Sequence, residues 1–203
     1  IGKRLDTFIS SVKSDRAGRA AGVSAEVDFV LERAEVMKTI IRLGDEGKIP
    51  LRITHNDTKF NNILFDNNDR ALCMIDLDTV MPGYIHYDFG DAIRTAANVA
   101  SEDETDLSRI SMDIELYRAF ARGYLSETRD TLNDVEKEYL AFAPKLITYI
   151  MAVRFLTDYL DGDIYYKIHH PNHNIDRARA QLKLVSSMEE QYAEMQKIIK
   201  ELI

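Results

Sequence analysis

After Pro82-Gly83 the sequence reads as helix almost to its end, and this feature decides most of what the chain can fold into. Residues 88–100 carry small residues on one face. Ile114, Tyr117, Phe120, Ala121 and Tyr124 recur at helical spacing. Residues 134–160 continue the pattern, with a kink expected at Pro144. Ile175, Ala178, Leu182, Val185, Met188, Tyr192, Met195 and Ile199 mark a long terminal helix. Such stripes exist to bury one face of a helix in a core.

Upstream the pattern is mixed. Residues 1–23 read as loop with a short helix. From 24 to 43, Val27, Val30, Leu31, Ala34, Met37, Ile40 and Ile41 predict one helix. Ser24 would cap it, Glu26 and Asp28 favour its first turn, and Gly44 and Gly47 stop it. The only β-rich stretch follows, with strands over 51–54, 62–66 and 71–77. The polar run Asn67-Asn68-Asp69-Arg70 joins the last two as a hairpin. The fold class is therefore mainly α (α+β), with one small sheet early in a single domain of 203 residues.

Charge narrows the partners. Lys and Arg number 26 against 34 Asp and Glu, a net charge of -8. Nucleic acid and anionic membranes want a basic face, so neither is expected as the main partner. No apolar run approaches the roughly 20 residues of a bilayer span, and no signal peptide is visible. Cys73 is the only cysteine, which excludes an intrachain disulfide and a thiolate zinc cluster. Together these predict a reducing, cytoplasmic setting.

The chemistry is concentrated between His55 and Asp91. His55-Asn56-Asp57-Thr58-Lys59-Phe60-Asn61-Asn62 enters the hairpin and Ile75-Asp76-Leu77-Asp78 leaves it. An Asp followed five residues later by an Asn, just before a strand, has the spacing of the protein-kinase catalytic loop. Kinases hold Mg²⁺ with a further carboxylate at the end of the hairpin's other strand, where Asp76 falls. Phosphoryl transfer needs an oriented hydroxyl and neutralised phosphate charge. Asp57 would accept the hydroxyl proton. Asn62 and Asp76 offer Mg²⁺ hard oxygen ligands. Lys59 would meet the transferred phosphate.

This stretch resembles the aminoglycoside phosphotransferase and choline kinase superfamily, whose loop has the form H-x-D-x-x-x-x-N, followed by a strand, a turn and I-D-x-D/E. Within it, residues 76–84, 87–94 and 154–163 are most similar to N-acetylhexosamine 1-kinases, some relatives of which are labelled mucin desulfatase. The resemblance implies the C-terminal lobe of a protein-kinase-like fold over 1–203. It implies ATP and Mg²⁺ as cofactors and a sugar acceptor phosphorylated on its anomeric hydroxyl. It also implies sugar contacts from Arg154, Tyr165 and Tyr166, and a bracing role for His55. A nucleotide-clamping N-terminal lobe belongs to such enzymes. No Gly-rich loop or strand set for one precedes residue 24. The chain therefore reads as a fragment that is inactive alone and whose partner is its own missing lobe.

Other readings remain open. The acceptor could be an aminoglycoside or choline, or the chain could be a non-catalytic binding module. A strand ending in Asp76-Leu77-Asp78-Thr79 also fits haloacid-dehalogenase phosphatases, but that fold needs strands alternating with helices downstream. Asp88-Phe89-Gly90 spells the kinase metal motif, yet lies too far past Asn62 and opens a helix. Asp88 is instead expected to accept backbone N–H groups under the catalytic loop. Asp78 is expected to support the site or the loop after it, with contact to the metal as the alternative, and Asp91 to be solvated or capping. His169, His170 and His173 read as a polar loop in place of a zinc site. Arg154 could alternatively pair with Asp158, four residues on.

Overall fold

The computed structural model describes residues 1–203. The chain opens with helix α1 (Gly2–Ser14), where sequence leads one to expect mostly loop. Only Leu5, Phe8 and Ser11 of α1 are buried, a stripe too sparse to stand out by period. Asp15 ends it in the left-handed region, with its N–H on the Ser11 carbonyl.

The single helix expected over 24–43 is broken. α2 (Ser24–Arg33) gives way to a 3₁₀ turn at Val36–Lys38 and then to α3 (Thr39–Asp45). Turns of 3.6 residues would carry Leu43 round the axis away from Val27 and Val30. The tighter turn brings Ile40 and Leu43 back onto the core beside Met37. Leu31, counted in the apolar stripe, is left exposed. Ser24 caps nothing, because it is already the first helical residue. Gly47 does supply the stop, at φ +69°.

Strand β1 (Arg52–Thr54) leads through a 3₁₀ turn at Phe60–Asn62 into β2 (Ile63–Phe65) and β3 (Ala71–Met74). β2 and β3 form the expected antiparallel hairpin, with Ile63 opposite Met74. β3 ends at Met74, so Asp76 lies beyond the strand, before a 3₁₀ turn at Leu77–Thr79. A fourth strand, β4 (Met81–Gly83), pairs antiparallel with β1 and sets Arg52 opposite Gly83. The chain thus returns beside its point of departure and closes the catalytic segment into a loop. A side chain at Gly83 would collide with Thr54 Oγ1.

The remainder is helical: α4 (Ile85–Ala96), α5 (Ile114–Thr128), α6 (Asp134–Glu138), α7 (Ala143–Asp161), α8 (His173–Glu190) and α9 (Tyr192–Leu202). α7 is the pillar against which α1, α4 and α8 pack. Leu146, Tyr149, Val153, Leu156 and Leu160 bury its sides. Pro144 kinks nothing. It sits in the first turn of α7, where a missing N–H costs no hydrogen bond. The terminal helix divides at Gln191, whose Nε2 donates to the Met112 carbonyl at 2.9 Å. α4 approaches α7 closely at Gly90, where a Cβ would meet the Ala143 carbonyl. The stretch Asp134–Asp161 has the length and apolarity of a membrane span, but most of it is buried among its neighbours. Around the two ribbons the surface is different, for Ile53, Leu72, Leu77 and Met81 are exposed.

Candidate active site

The loop from His55 to Asn62 is folded by α4. Asp88, in the first turn of α4, accepts the His55 N–H and the Asn56 N–H, each at 2.7 Å. The Thr58 hydroxyl donates to the Asp88 carbonyl at 2.6 Å, and Thr95 Oγ1 accepts from the Phe60 N–H at 3.0 Å. Asn56 stands at φ +63°, a conformation Asn tolerates better than most residues. Its side chain donates to the Thr79 carbonyl. Buried His55 lies with Nε2 3.0 Å from the Ile75 carbonyl, tying the loop to the far end of the hairpin.

These constraints gather the residues singled out in sequence. Asn62 Nδ2 donates to both the main-chain oxygen and Oδ2 of Asp57 at 2.9 Å. Lys59 Nζ donates to the same Oδ2 at 2.9 Å. Asp57 Oδ1 and Asn62 Oδ1 are left with no partner in the protein. The hydrogen bond to Asp57, with the charges of Asp57, Asp76 and Asp91, raises the Lys59 ammonium against the opposing effect of burial. Lys59 therefore stays charged among three carboxylates.

Asp76 is exposed and held in the left-handed region, at φ +63° and ψ +56°. Its carboxylate is free of protein donors, as is Asn62 Oδ1, and both are hard oxygen atoms on fixed backbone. That donor set fits Mg²⁺, which takes one or two protein oxygens and completes its shell with water and phosphate.

Three expectations are corrected. Asp78 supports nothing: it is exposed on the 3₁₀ turn and no donor meets it. Asp91 is neither solvated nor capping. It is buried on α4, and Arg94 donates to its Oδ1 at 2.9 Å. Burial raises its carboxyl, and Arg94 opposes the rise. Arg154 does not pair with Asp158, because that carboxylate is already filled. Asp158 accepts the N–H groups of Ile164, Tyr165 and Tyr166 and the Asn174 amide, at 2.8–3.0 Å.

Asp57, Lys59 and Asp91 share a cleft of about 450 Å³ with Arg154 and Tyr166. A larger cleft of about 950 Å³ adjoins it, lined by Arg154, Tyr165, Tyr166 and the start of α1. The arginine and two tyrosines named from sequence are thus brought together, Tyr165 largely exposed and Tyr166 half-buried. In the histidine loop His169 and His170 are exposed, and only His173, at the start of α8, is buried. His173 Nδ1 accepts from the His169 N–H, and Nε2 lies 3.3 Å from Asp103. Sequence reasoning misses Arg4, Arg94, Glu102 and Arg177, which also line the smaller cleft. Arg94 ends the 87–94 stretch, but no local motif marks the other three, which separate helices and a loop bring there.

Arranged this way, the loop can hold a hydroxyl at Asp57 and a phosphate near Lys59, with a metal between Asn62 and Asp76. Comparison with known families agrees at the level of the reaction. Residues 11–135 match the phosphotransferase enzyme family, a span from α1 through the whole catalytic loop and hairpin to α6, and the chain belongs to that family of kinase-like enzymes.

Proposed function

We propose that this chain is the C-terminal lobe of an ATP-dependent kinase that phosphorylates the anomeric hydroxyl of an N-acetylhexosamine. The observation that carries the reading is Asp57, with Oδ2 saturated by Asn62 and Lys59 and Oδ1 open in a cleft. The bound hydroxyl donates to Oδ1 of Asp57. Its oxygen forms a bond to the γ-phosphorus as the bond from that phosphorus to the β-bridging oxygen breaks, and ADP departs. The hydroxyl proton passes to Oδ1, late in a loose transition state. Lys59 faces the equatorial phosphate oxygens. Mg²⁺, when bound by Asn62 Oδ1 and Asp76, supplies neutralising charge to the phosphates.

The acceptor rests on the wall of Arg154, Tyr165 and Tyr166. An aromatic ring offers a face to the apolar side of a sugar, and a guanidinium donates to hydroxyl or acetyl oxygens. Arg154 is free for this, having no carboxylate partner. Arginines in the cleft disfavour cationic acceptors such as aminoglycosides and choline. The exposed apolar residues Ile53, Leu72, Leu77 and Met81 on the ribbons are where a nucleotide-clamping lobe would rest.

The test is an ATP-consumption assay of the full-length protein with Mg²⁺, offering N-acetylglucosamine, N-acetylgalactosamine, choline and kanamycin. Turnover with an N-acetylhexosamine supports the assignment. Turnover only with a cationic acceptor removes the sugar, and turnover with none of the four removes the neutral N-acetylhexosamine as acceptor.

A further inference from the structure

The cleft around Asp57 holds more positive charge than its own carboxylates answer. Asp57 is met by Lys59, and Asp91 and Glu102 are both met by Arg94, at 2.9 and 2.7 Å. Five cations thus stand against three carboxylates, a surplus of two, and Arg4, Arg154 and Arg177 are the cations that no carboxylate of the cleft meets. Arg154 touches only the sulfur of Met151, at 3.4 Å, and Arg177 reaches the Lys167 carbonyl at 3.5 Å, a weak contact. Asp103 lies near Arg177 but outside the cleft, with its Oδ2 3.3 Å from His173 Nε2.

Aromatic faces hold two of these arginines in place of carboxylates. Arg154 lies over Tyr166 at 5.3 Å, Arg177 over Phe155 at 5.4 Å, and the two rings touch at a centroid distance of 4.9 Å. Stacking uses the face of a guanidinium and leaves its in-plane donors for another group. Two polar atoms at this place are sealed from solvent without a partner, Arg177 Nε and the Tyr166 hydroxyl. A buried donor left unmet is costly, and a small shift of either side chain toward an acceptor in the cleft would satisfy it. Arg4 and Arg154 also crowd one another: burial first, and then the charge of Arg154, lowers the Arg4 guanidinium. An anion between them would relieve that repulsion.

We propose that Arg4, Arg154 and Arg177 seat an acidic substituent of the acceptor, a carboxylate or phosphate ester carried in addition to the hydroxyl that faces Asp57. The natural acceptor is then an acidic sugar derivative in place of a neutral hexosamine. This rests on the phosphotransferase reading above, because the seat opens into the cleft of Asp57.

The test is titration calorimetry on the full-length protein without nucleotide. The probes are N-acetylglucosamine, its acidic counterparts N-acetylmuramic acid and N-acetylglucosamine 6-phosphate, and inorganic phosphate. An acidic counterpart should bind at least about tenfold tighter than the neutral sugar, as charge-assisted bonds to guanidinium are the stronger kind. The ratio of acidic to neutral affinity should collapse toward one in Arg177→Gln and Arg4→Gln, and recover in part in Arg177→Lys. Equal affinity for neutral and acidic sugars overturns the proposal. So does inorganic phosphate binding as tightly as the better acidic sugar, which would make the seat a free-anion site. Arg-dependent binding of an acidic sugar without turnover in Mg-ATP would sink the kinase reading and leave the seat. Turnover of neutral sugars with a ratio near one would do the reverse.

Discussion

Asn62 grips Asp57 twice with one nitrogen, reaching its backbone oxygen and its Oδ2 at 2.9 Å. The same side chain turns its own oxygen to nothing in the protein. One residue therefore orients the base and offers a metal ligand. Asn62→Ala should lose both, and half-saturation by Mg²⁺ should rise about tenfold or more, together with a fall in turnover. Initial rates over a Mg²⁺ series decide this. An unchanged metal requirement would leave Asn62 as a strut for Asp57 alone.

Asp57→Asn keeps the shape of the loop and removes the proton acceptor. Turnover should fall about 10³-fold, within the range of general-base removal. Nucleotide affinity should stay as it is, because no nucleotide contact is assigned to Asp57. Single-turnover kinetics beside a nucleotide-binding titration separate the two quantities, and near-normal turnover would take Asp57 out of the mechanism.

Asp88 folds the catalytic loop through two backbone N–H groups at 2.7 Å. Asp88→Ala strands both donors, and bonds to charged acceptors carry about 1.5–3 kcal/mol each. The variant should lose about 3 kcal/mol of stability by urea unfolding. It should lose activity under conditions where it is still folded, whereas a purely global effect would leave the folded fraction fully active.

Asp158 is saturated by three backbone N–H groups and the Asn174 amide. Asp158→Asn puts an NH₂ group against some of those donors and should loosen residues 164–166. The acceptor KM should rise about tenfold with the nucleotide KM unchanged, as for lost positioning on one side of the site. Parallel losses in both KM values would mean that the whole lobe had softened.

His86 on α4 is fully buried beside the Glu136 carbonyl, and burial pushes its imidazole down to about 4. In the unfolded chain it titrates near its ordinary value of 6.5. Between these values the unfolded state holds the extra proton, so stability is full above pH 6.5 and is lost as pH falls toward 4. The loss is about 3 kcal/mol in all, at about 1.4 per pH unit of displacement. His86→Gln keeps a donor for Glu136 and should flatten this slope in urea titrations across pH 7 to 4. An unaltered slope would place the sensitivity in other groups.

The catalytic loop was legible because its spacing is a local matter. Asp57 and Asn62 meet across one turn, and the place of Asp76 follows once the hairpin is recognised. What sequence could not show depends on distant pairings. β4 is three residues with no strand pattern of their own, and it exists because β1 lies beside it. In sequence Asp91 is an ordinary helix-surface acid; in the fold it pairs with Arg94, which is itself tied to Glu102. The break at 33–39 rephases a helix on the core, and the one at Gln191 goes with its bond to the Met112 carbonyl, neither of which an apolar stripe records.

The Asp158 carboxylate holds residues 164–166 entirely by their backbone N–H groups. Peptide groups are the same whatever side chain they bear, so the frame of this wall is indifferent to the residues displayed on it. Ile164 and Tyr165, both largely exposed, can be exchanged without undoing the hydrogen bonds that set their place. The lobe thus carries an interchangeable panel beside a fixed reaction centre, and a small library at these two positions is the economical route to redirecting it toward a new acceptor.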